Sequence, residues 1–273
     1  RSLKRKVDQL PATHAGAPAR AMALVDRKKA IEPVVFLRGK PGSRGPKVPR
    51  QFLSLIEGEI RQPFEHGSGR LELAQSIANA DNPLTSRVIV NRLWRYHFGK
   101  PLVDTPSDFG IRAQVPSHPE LLDYLASRLT TDDWSIKRIH RLMMLSNTYQ
   151  QASGPDAWHA AKDSENRFLW RMNRKRLELE PLRDTLLAVT GSLDSKIGGQ
   201  PVEITEEPFA PRRTIYGFIE RQNLPGMFRT FDLASPDSSS SGRFETTVPQ
   251  QALFMVNSSF VQDLARNLEQ EIL

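Results

Sequence analysis

The chain has 273 residues, a formal net charge of +7 and a hydrophobic fraction of 38%, enough to bury a core as one large domain or two modest ones. It has no cysteine, which excludes disulfides, thiolate nucleophiles, iron–sulfur clusters and covalent attachment of c-type haem. No apolar run approaches the ~20 residues of a membrane-spanning helix, and the spread of Lys and Arg without a recognised signature disfavours nucleic acid as a partner.

Residues 1–30 are polar, basic and rich in alanine, and prolines interrupt any long helix. We expect a linker from a missing upstream region here, followed by a single mainly helical domain over residues 31–273. The apolar run Val34–Leu37 predicts a short strand. The glycine-rich loop after it lacks the spacing of a phosphate-binding loop.

The next strong signal is a helix that Asn82 caps and Gly99 ends, with Pro83 at its first position. At 100° per residue, its apolar side chains cover most of the circumference. The helix nevertheless carries polar residues: Arg87, Asn91, Arg92, Arg95 and His97. Because such a helix is enclosed on most sides, we expect these polar groups to be buried beside Trp94 and to need partners.

Further along, Ser117–Glu120 fits a capping box and Ser135 caps the next helix, which predicts a helical hairpin packed on the Asn82 helix. Thr214–Ile219 predicts a second strand, and two helices close the chain. The predicted fold is therefore mainly α, an irregular multi-helix domain with long loops and at most a small β element formed by Val34–Leu37 and Thr214–Ile219.

No motif identifies a reaction, so the catalytic residues are unknown. His97, His118 and His140 lack the i, i+4 spacing of a helical metal site, and we predict no metal or cofactor in this chain. Asp104 and Asp108 could act as paired acids, but turn and cap roles explain them more simply. There is no G-x-S-x-G nucleophile elbow.

The candidate site is an anion or ligand pocket formed by residues of the Asn82 helix and the loop after it: Arg92, Trp94, Arg95, His97 and Asp108. We favour a structural interpretation, in which Arg92 and Arg95 pair with Asp104, Asp108 or Glu178 and lock the helix to the loop. A true anion pocket beside Trp94 stays open as the alternative.

Five ordered segments carry a family resemblance: NPLTSRVIVNRLWRYHFGKPLVDTPSDFG, SHPELLDYLASRL, WSIKRIHRLMMLSNTYQQAS, NRFLWRMNRKRLELEPLRDTLLAVTG and TTVPQQALFMVNSSFV. Over roughly Pro33 to Leu264 the chain resembles the planctomycete-type domain of unknown function number fifteen fifty-three. In SPDSSSSGRFETTVPQQAL a serine tract replaces much of the family's pattern, which weakens any binding role for that loop.

The resemblance implies an extracytoplasmic module, periplasmic or secreted, at the C-terminal end of a larger exported protein that often carries a cytochrome-c-like module. Any covalent haem would then lie in a missing upstream domain. We expect non-catalytic binding or scaffolding, with upstream domains of the same polypeptide and a polyanionic glycan as partners. The alternative is an enzyme acting on polysaccharide or its substituents, using Asp, His and Arg of residues 91–120.

Overall fold

A computed structural model describes residues 3, 7, 14, 23–28 and 30–272. This part of the chain is mainly helical with one small antiparallel sheet, which confirms the predicted fold class. It divides into two compact units, residues 1–85 and 86–273. Most of the predicted linker 1–30 lies outside the described residues, and the boundary at residue 30 stays a prediction.

The first unit contains the sheet. Strand β1 (Val34–Phe36) pairs antiparallel with β2 (Arg44–Lys47), and the two short helices that follow are α1 (Ser54–Glu57) and α2 (Arg70–Ile77). The predicted strand Val34–Leu37 is confirmed except at its last residue. Leu37 begins a 3-10 turn, because Arg38 and Gly39 adopt positive φ values of 51° and 71° and reverse the chain.

The remaining helices are α3 (Pro83–Phe98), α4 (Pro119–Thr131), α5 (Ile136–Met144), α6 (Asn147–Gln150), α7 (Ala157–Lys162), α8 (Leu179–Val189), α9 (Gly226–Thr230), α10 (Pro249–Asn257) and α11 (Ser259–Ile272). The predicted cap of α3 is confirmed, since Asn82 Oδ1 accepts from the Leu84 amide at 3.0 Å. Within the described residues, no helix is long and apolar enough to cross a bilayer.

Helices α3, α4 and α5 build the main core of the second unit, which includes Val90, Phe98, Leu125, Leu129 and Ile139. The predicted cap of α5 is confirmed, because Ser135 Oγ accepts from the Arg138 amide. The predicted capping box at Ser117 is wrong. Proline forces the residue before it out of helical geometry and favours the first helical position, so His118 precedes α4 and Pro119 begins it.

Two buried arginines organise the region between α8 and α9. Arg183 donates to the carbonyls of Arg212 (2.9 Å) and Ala210 (2.5 Å). Arg212 donates to the carbonyls of Lys196 (3.0 Å) and Gly198 (2.6 Å). These arginines, and not those of α3, hold the deeply buried guanidinium groups in the described part of the chain, and they fold a long loop onto α8.

The predicted strand Thr214–Ile219 is wrong. Thr214–Tyr216 form a 3-10 turn, closed by a hydrogen bond from the Tyr216 amide to the Arg213 carbonyl. Asp184 Oδ1 accepts from both the amide (2.7 Å) and the hydroxyl (2.6 Å) of Thr214. These bonds give the backbone of this segment its hydrogen-bond partners in a turn, so it does not pair with a neighbouring strand. Among the residues that the structure describes, the one β-type contact within the predicted strand is an isolated bridge from Gly217 to Val202.

Candidate functional site

The five predicted pocket residues do not share one cavity. Trp94 is buried and stacks on Phe98 with ring centroids 3.9 Å apart, while Arg92 is exposed and Arg95 is half-buried. Successive residues of a helix point about 100° apart, so side chains spread over residues 92–97 of α3 face different neighbours. The expectation that all the polar groups of α3 are buried is therefore wrong for Arg92.

His97 faces α5 and packs among aromatic rings. Its Nε2 lies 2.7 Å from Nδ1 of His140 in a hydrogen bond, and its ring meets Tyr149 edge to face. Burial lowers the pKa of His97, and the neighbouring His140 and Lys175 lower that pKa further. This geometry makes His97 part of the packing between α3 and α5.

Asp108 belongs to a turn in the loop after α3. Its Oδ1 accepts from the Gly110 amide at 2.9 Å, and its carbonyl accepts from the Thr105 hydroxyl at 2.7 Å. Within the described residues, neither Asp108 nor Arg92 forms an ion pair. The ion pairs expected from Arg92 and Arg95 to Asp104, Asp108 or Glu178 do not form there.

Arg95 instead holds a loop by its backbone. Its Nη2 donates to the carbonyl of Arg243 at 2.6 Å. A Cβ atom at Gly242 would overlap the Arg95 guanidinium, so this close approach requires glycine. The serine-rich loop discounted in the sequence is thus fixed against α3 at its end.

Arg243 is the centre of an ion-pair network that we call the Arg243 clamp. Its Nη1 donates to Glu178 Oε2 (2.6 Å) and Glu180 Oε2 (2.7 Å), and its Nη2 donates to Glu180 Oε1 (2.7 Å). Burial raises the pKa of Glu180, but the hydrogen bonds from Arg243 outweigh it and leave that pKa below its ordinary value. Those bonds raise the pKa of Arg243. Two carboxylates therefore balance this guanidinium.

A polar cavity of about 460 Å³ lies beyond the C-terminal end of α3. Its lining includes an aromatic ring and five ionisable side chains: Trp94, Lys100, Asp104, His118, Glu165 and Arg167. Of the predicted site residues, Trp94 lines this cavity, whereas Arg92, Arg95, His97 and Asp108 do not. Among the described residues, no group of three or more His, Cys, Asp or Glu side chains is arranged to hold a metal ion.

Two buried asparagines shape the walls of the polar cavity. Asn91 exchanges two hydrogen bonds with the backbone of Val103, at 2.9 and 3.0 Å, and fixes the loop that carries Lys100 and Asp104. Asn166 donates to the Arg171 carbonyl at 2.8 Å and adopts a positive φ of 54°. These bonds anchor the backbone of the two loops that carry the lining side chains.

The lining residues carry charge of both signs. Lys100 Nζ donates to the Glu165 carbonyl at 2.9 Å, and within the described part neither Lys100 nor Arg167 forms an ion pair. Asp163 lies close by, and its pKa lies below the ordinary value. The largest cause is the hydrogen bond from the Phe168 amide. The Arg167 amide and the charges of Arg167 and Lys100 lower the pKa further, and burial opposes them. The cavity thus offers cationic donors beside the carboxylates of Asp104 and Glu165.

Sequence reasoning missed most of this site. Glu165 and Arg167 lie in a stretch, residues 165–172, for which the sequence predicts a short helix, but the structure forms turns there. Arg243 lies at the end of the serine tract. The turn-forming pattern of Asp163 and Asn166 was the available signal, since such residues bond the backbone and shape a fixed loop.

No curated protein and no solved structure matches the chain. Comparison with protein families matches residues 69–273 to PSD1, described as a protein of unknown function (DUF1553). The match covers more than half of the chain and includes α2 to α11, so it spans the helices that form the polar cavity and the Arg243 clamp. The resemblance to this family of unknown function is confirmed from residue 69 onward, although the match does not reach the expected start at Pro33. The chain belongs to this DUF1553 family.

Proposed function

We propose that the chain is a non-catalytic binding module that takes an anionic sugar in the polar cavity. The observation that carries this proposal is the position of Lys100 and Arg167, two cations outside any ion pair in the described residues, in a cavity of about 460 Å³. Cavities of roughly 300–1,000 Å³ suit small ligands. An acidic group on the ligand would pair directly with these two side chains.

The rest of the lining favours a sugar over a simple anion. Asp104 and Glu165 line the same cavity, and carboxylates only accept hydrogen bonds at neutral pH. Sugar hydroxyls donate such bonds, while a carboxylate or sulfate on the same ring accepts from Lys100 and Arg167. The edge of Trp94 adds an apolar wall. A ligand with hydroxyls and one acidic group satisfies all of these side chains together.

A second candidate function is hydrolysis of a polysaccharide or removal of its substituents. It is favoured by Asp104, Glu165 and His118 lining one cavity, because carboxylates and histidine are the usual groups of general acid–base catalysis. The Asp104→Asn variant separates the two functions. Loss of a measured hydrolytic rate at an unchanged melting temperature would establish the enzyme and overturn the non-catalytic proposal.

The family resemblance supports a wider proposal about context. We place the module in a larger exported protein, periplasmic or secreted, next to upstream domains of the same polypeptide and associated with a cytochrome-c-like module. Haem, where present, would be bound by that upstream part. Cell fractionation with an antibody against this chain, combined with haem staining of the captured band, tests both statements; a cytoplasmic band without haem would contradict them.

The binding test is calorimetry with two acidic sugars, galacturonate and galactose sulfate, against galactose as the neutral control. We expect the acidic sugars to bind more tightly, and Lys100→Met and Arg167→Met each to weaken them about tenfold or more, because a charge-assisted hydrogen bond contributes about 1.5–3 kcal/mol. Lys137→Met and Arg141→Met remove the same charges from exposed positions on α5 and control for net charge. Equal affinity for all three sugars would overturn the proposal.

A further inference from the structure

We infer that the polar cavity is one end of a groove that binds a linear anionic glycan of three or more units, an inference that rests on the proposed function. Three cavities follow one another along the surface. The polar cavity shares Pro101 and Asp104 with a middle cavity of about 400 Å³. The middle cavity shares Arg95, Arg243 and Glu245 with a far cavity of about 360 Å³. Shared walls place the three cavities side by side in this order.

In each cavity at least one cation has a neutral carbonyl as its partner. Lys100 in the polar cavity donates to the Glu165 carbonyl at 2.9 Å. Arg95 in the middle cavity donates to the Arg243 carbonyl at 2.6 Å. Lys175 in the far cavity donates to the Tyr96 carbonyl. A carbonyl oxygen orients a cation but does not cancel its charge, so positive charge recurs along the groove.

Two guanidinium groups of the middle and far cavities are already balanced. Arg243 is bound by Glu178 and Glu180, and Arg176 lies 2.8 Å from Asp232. These two arginines stabilise the walls. The recurring charge of Lys100, Arg95 and Lys175 therefore remains for a ligand with repeated acidic groups.

Exposed aromatic rings accompany these cations. Phe244 is 84% exposed and lines the middle cavity, and Tyr96 is 57% exposed and lines the far cavity. An exposed ring next to charged side chains leaves an apolar face in water, which a ligand with a C–H face can cover. The Arg243 clamp anchors the chain directly before Phe244, the residue that carries this ring.

The carboxylates of the groove favour a glycan over nucleic acid. Asp104 lies where the polar and middle cavities meet, and Glu245 where the middle and far cavities meet. The phosphodiester backbone of DNA has no hydroxyl between its phosphates that could donate to these carboxylates. A glycan brings hydroxyls to these positions as donors and its acidic groups to the cations between them.

The test is calorimetry with two ladders of oligosaccharides, oligogalacturonates and sulfated carrageenan oligomers, from the monosaccharide to the hexasaccharide. We expect affinity to rise at least tenfold between one unit and three units and then to level off as the groove fills. The two ladders distinguish a uronate from a sulfate ligand. Affinity that does not change with length overturns the groove but leaves the proposed function standing, whereas no binding at any length overturns both.

Single substitutions test where along the groove the additional sugar units bind. Lys175→Met, at the far end, should reduce the gain in affinity from monosaccharide to hexasaccharide about tenfold, and Phe244→Ala should reduce it as well. Lys100→Met should weaken the monosaccharide itself. Lys137→Met, exposed on α5, is the matched control, and circular dichroism checks that each variant folds. A gain that Lys175→Met does not reduce, or tighter binding of single-stranded DNA than of either ladder at matched salt, would overturn the inference.

Discussion

Arg95 donates to the backbone carbonyl of Arg243 at 2.6 Å, across 148 residues of sequence. The two guanidinium groups have opposite roles as a result. Arg243 is balanced by Glu178 and Glu180 and anchors the loop. Arg95 donates to a neutral oxygen and, among the described residues, forms no ion pair. The sequence suggests an ion pair between Arg95 and an acid such as Glu178. In the structure Arg243 pairs with Glu178, and Arg95 donates to a carbonyl instead.

The Arg243 clamp should contribute measurably to stability. Arg243→Met leaves Glu178 and Glu180 without their cation at sites where the side chains are 31% and 27% exposed. We expect a loss of about 2 kcal/mol in the free energy of unfolding, since an unpaired and partly buried charge costs about 1–3 kcal/mol. Urea denaturation followed by circular dichroism measures the loss.

The matched control for the clamp is Arg266→Met, which breaks an ion pair with Asp263 between side chains that are 67% and 49% exposed. Exposed pairs contribute little, so its effect should stay below about 0.5 kcal/mol. Equal effects for the two variants would show that the clamp adds no more than an ordinary surface pair.

Gly242 should be coupled energetically to Arg95. In Gly242→Ala the new Cβ overlaps the Arg95 guanidinium, and because this is the end of a flexible side chain, the guanidinium can move away and lose its bond to the Arg243 carbonyl. We expect a cost of about 1 kcal/mol, the net contribution of one such hydrogen bond. In an Arg95→Ala background the same substitution should cost almost nothing. Additive effects in this double-mutant cycle would contradict the contact.

Local sequence patterns predict the helix caps, but they do not predict the contacts that build the candidate site. Asn82 and Ser135 cap helices with bonds to residues two or three positions away, and such bonds follow from residue type alone. Thr214 was misassigned because its partner, Asp184, lies 30 residues away. Periodicity carries no information about a contact at that separation.

The residues predicted to form one pocket lie apart for a different reason. Trp94 and Arg95 are adjacent on α3 and therefore point about 100° apart. His97, one turn beyond Trp94, forms its hydrogen bond with His140 of α5 instead. The Arg243 clamp could not be foreseen, because its partners are 63 and 65 residues away and the loop between them has no periodic pattern.

Stability should fall as the pH drops below the ordinary pKa of histidine. Burial, with the charges of His140 and Lys175, lowers the pKa of His97 from 6.5 in the folded state. The unfolded chain therefore binds its proton first, so this stability is fully present above pH 6.5 and is lost as pH falls through the folded value. Urea titrations of the wild type and His97→Gln from about pH 7.5 to about pH 5 should give a shallower fall for the variant; parallel curves would contradict the assignment.

Asn91 should couple stability to ligand binding. It is 1% exposed, and its amide donates to the Val103 carbonyl and accepts from the Val103 amide. Asn91→Leu keeps the volume but leaves both backbone groups buried without partners, which should cost about 3 kcal/mol. Asn267→Leu, an exposed position on α11, should change stability by less than about 0.5 kcal/mol.

The same substitution tests whether the backbone support matters for the polar cavity. Val103 lies between Leu102 and Asp104 in the loop that forms one wall of the polar cavity and also carries Lys100. Losing both bonds to Asn91 therefore frees the side chains that contact the sugar in the proposed complex. We expect Asn91→Leu to weaken galacturonate binding at least threefold at a temperature where the variant is still folded, because a wall that must be ordered on binding costs conformational entropy. If affinity is unchanged while stability falls, Asn91 supports the core alone, and the wall of the cavity is held by other contacts.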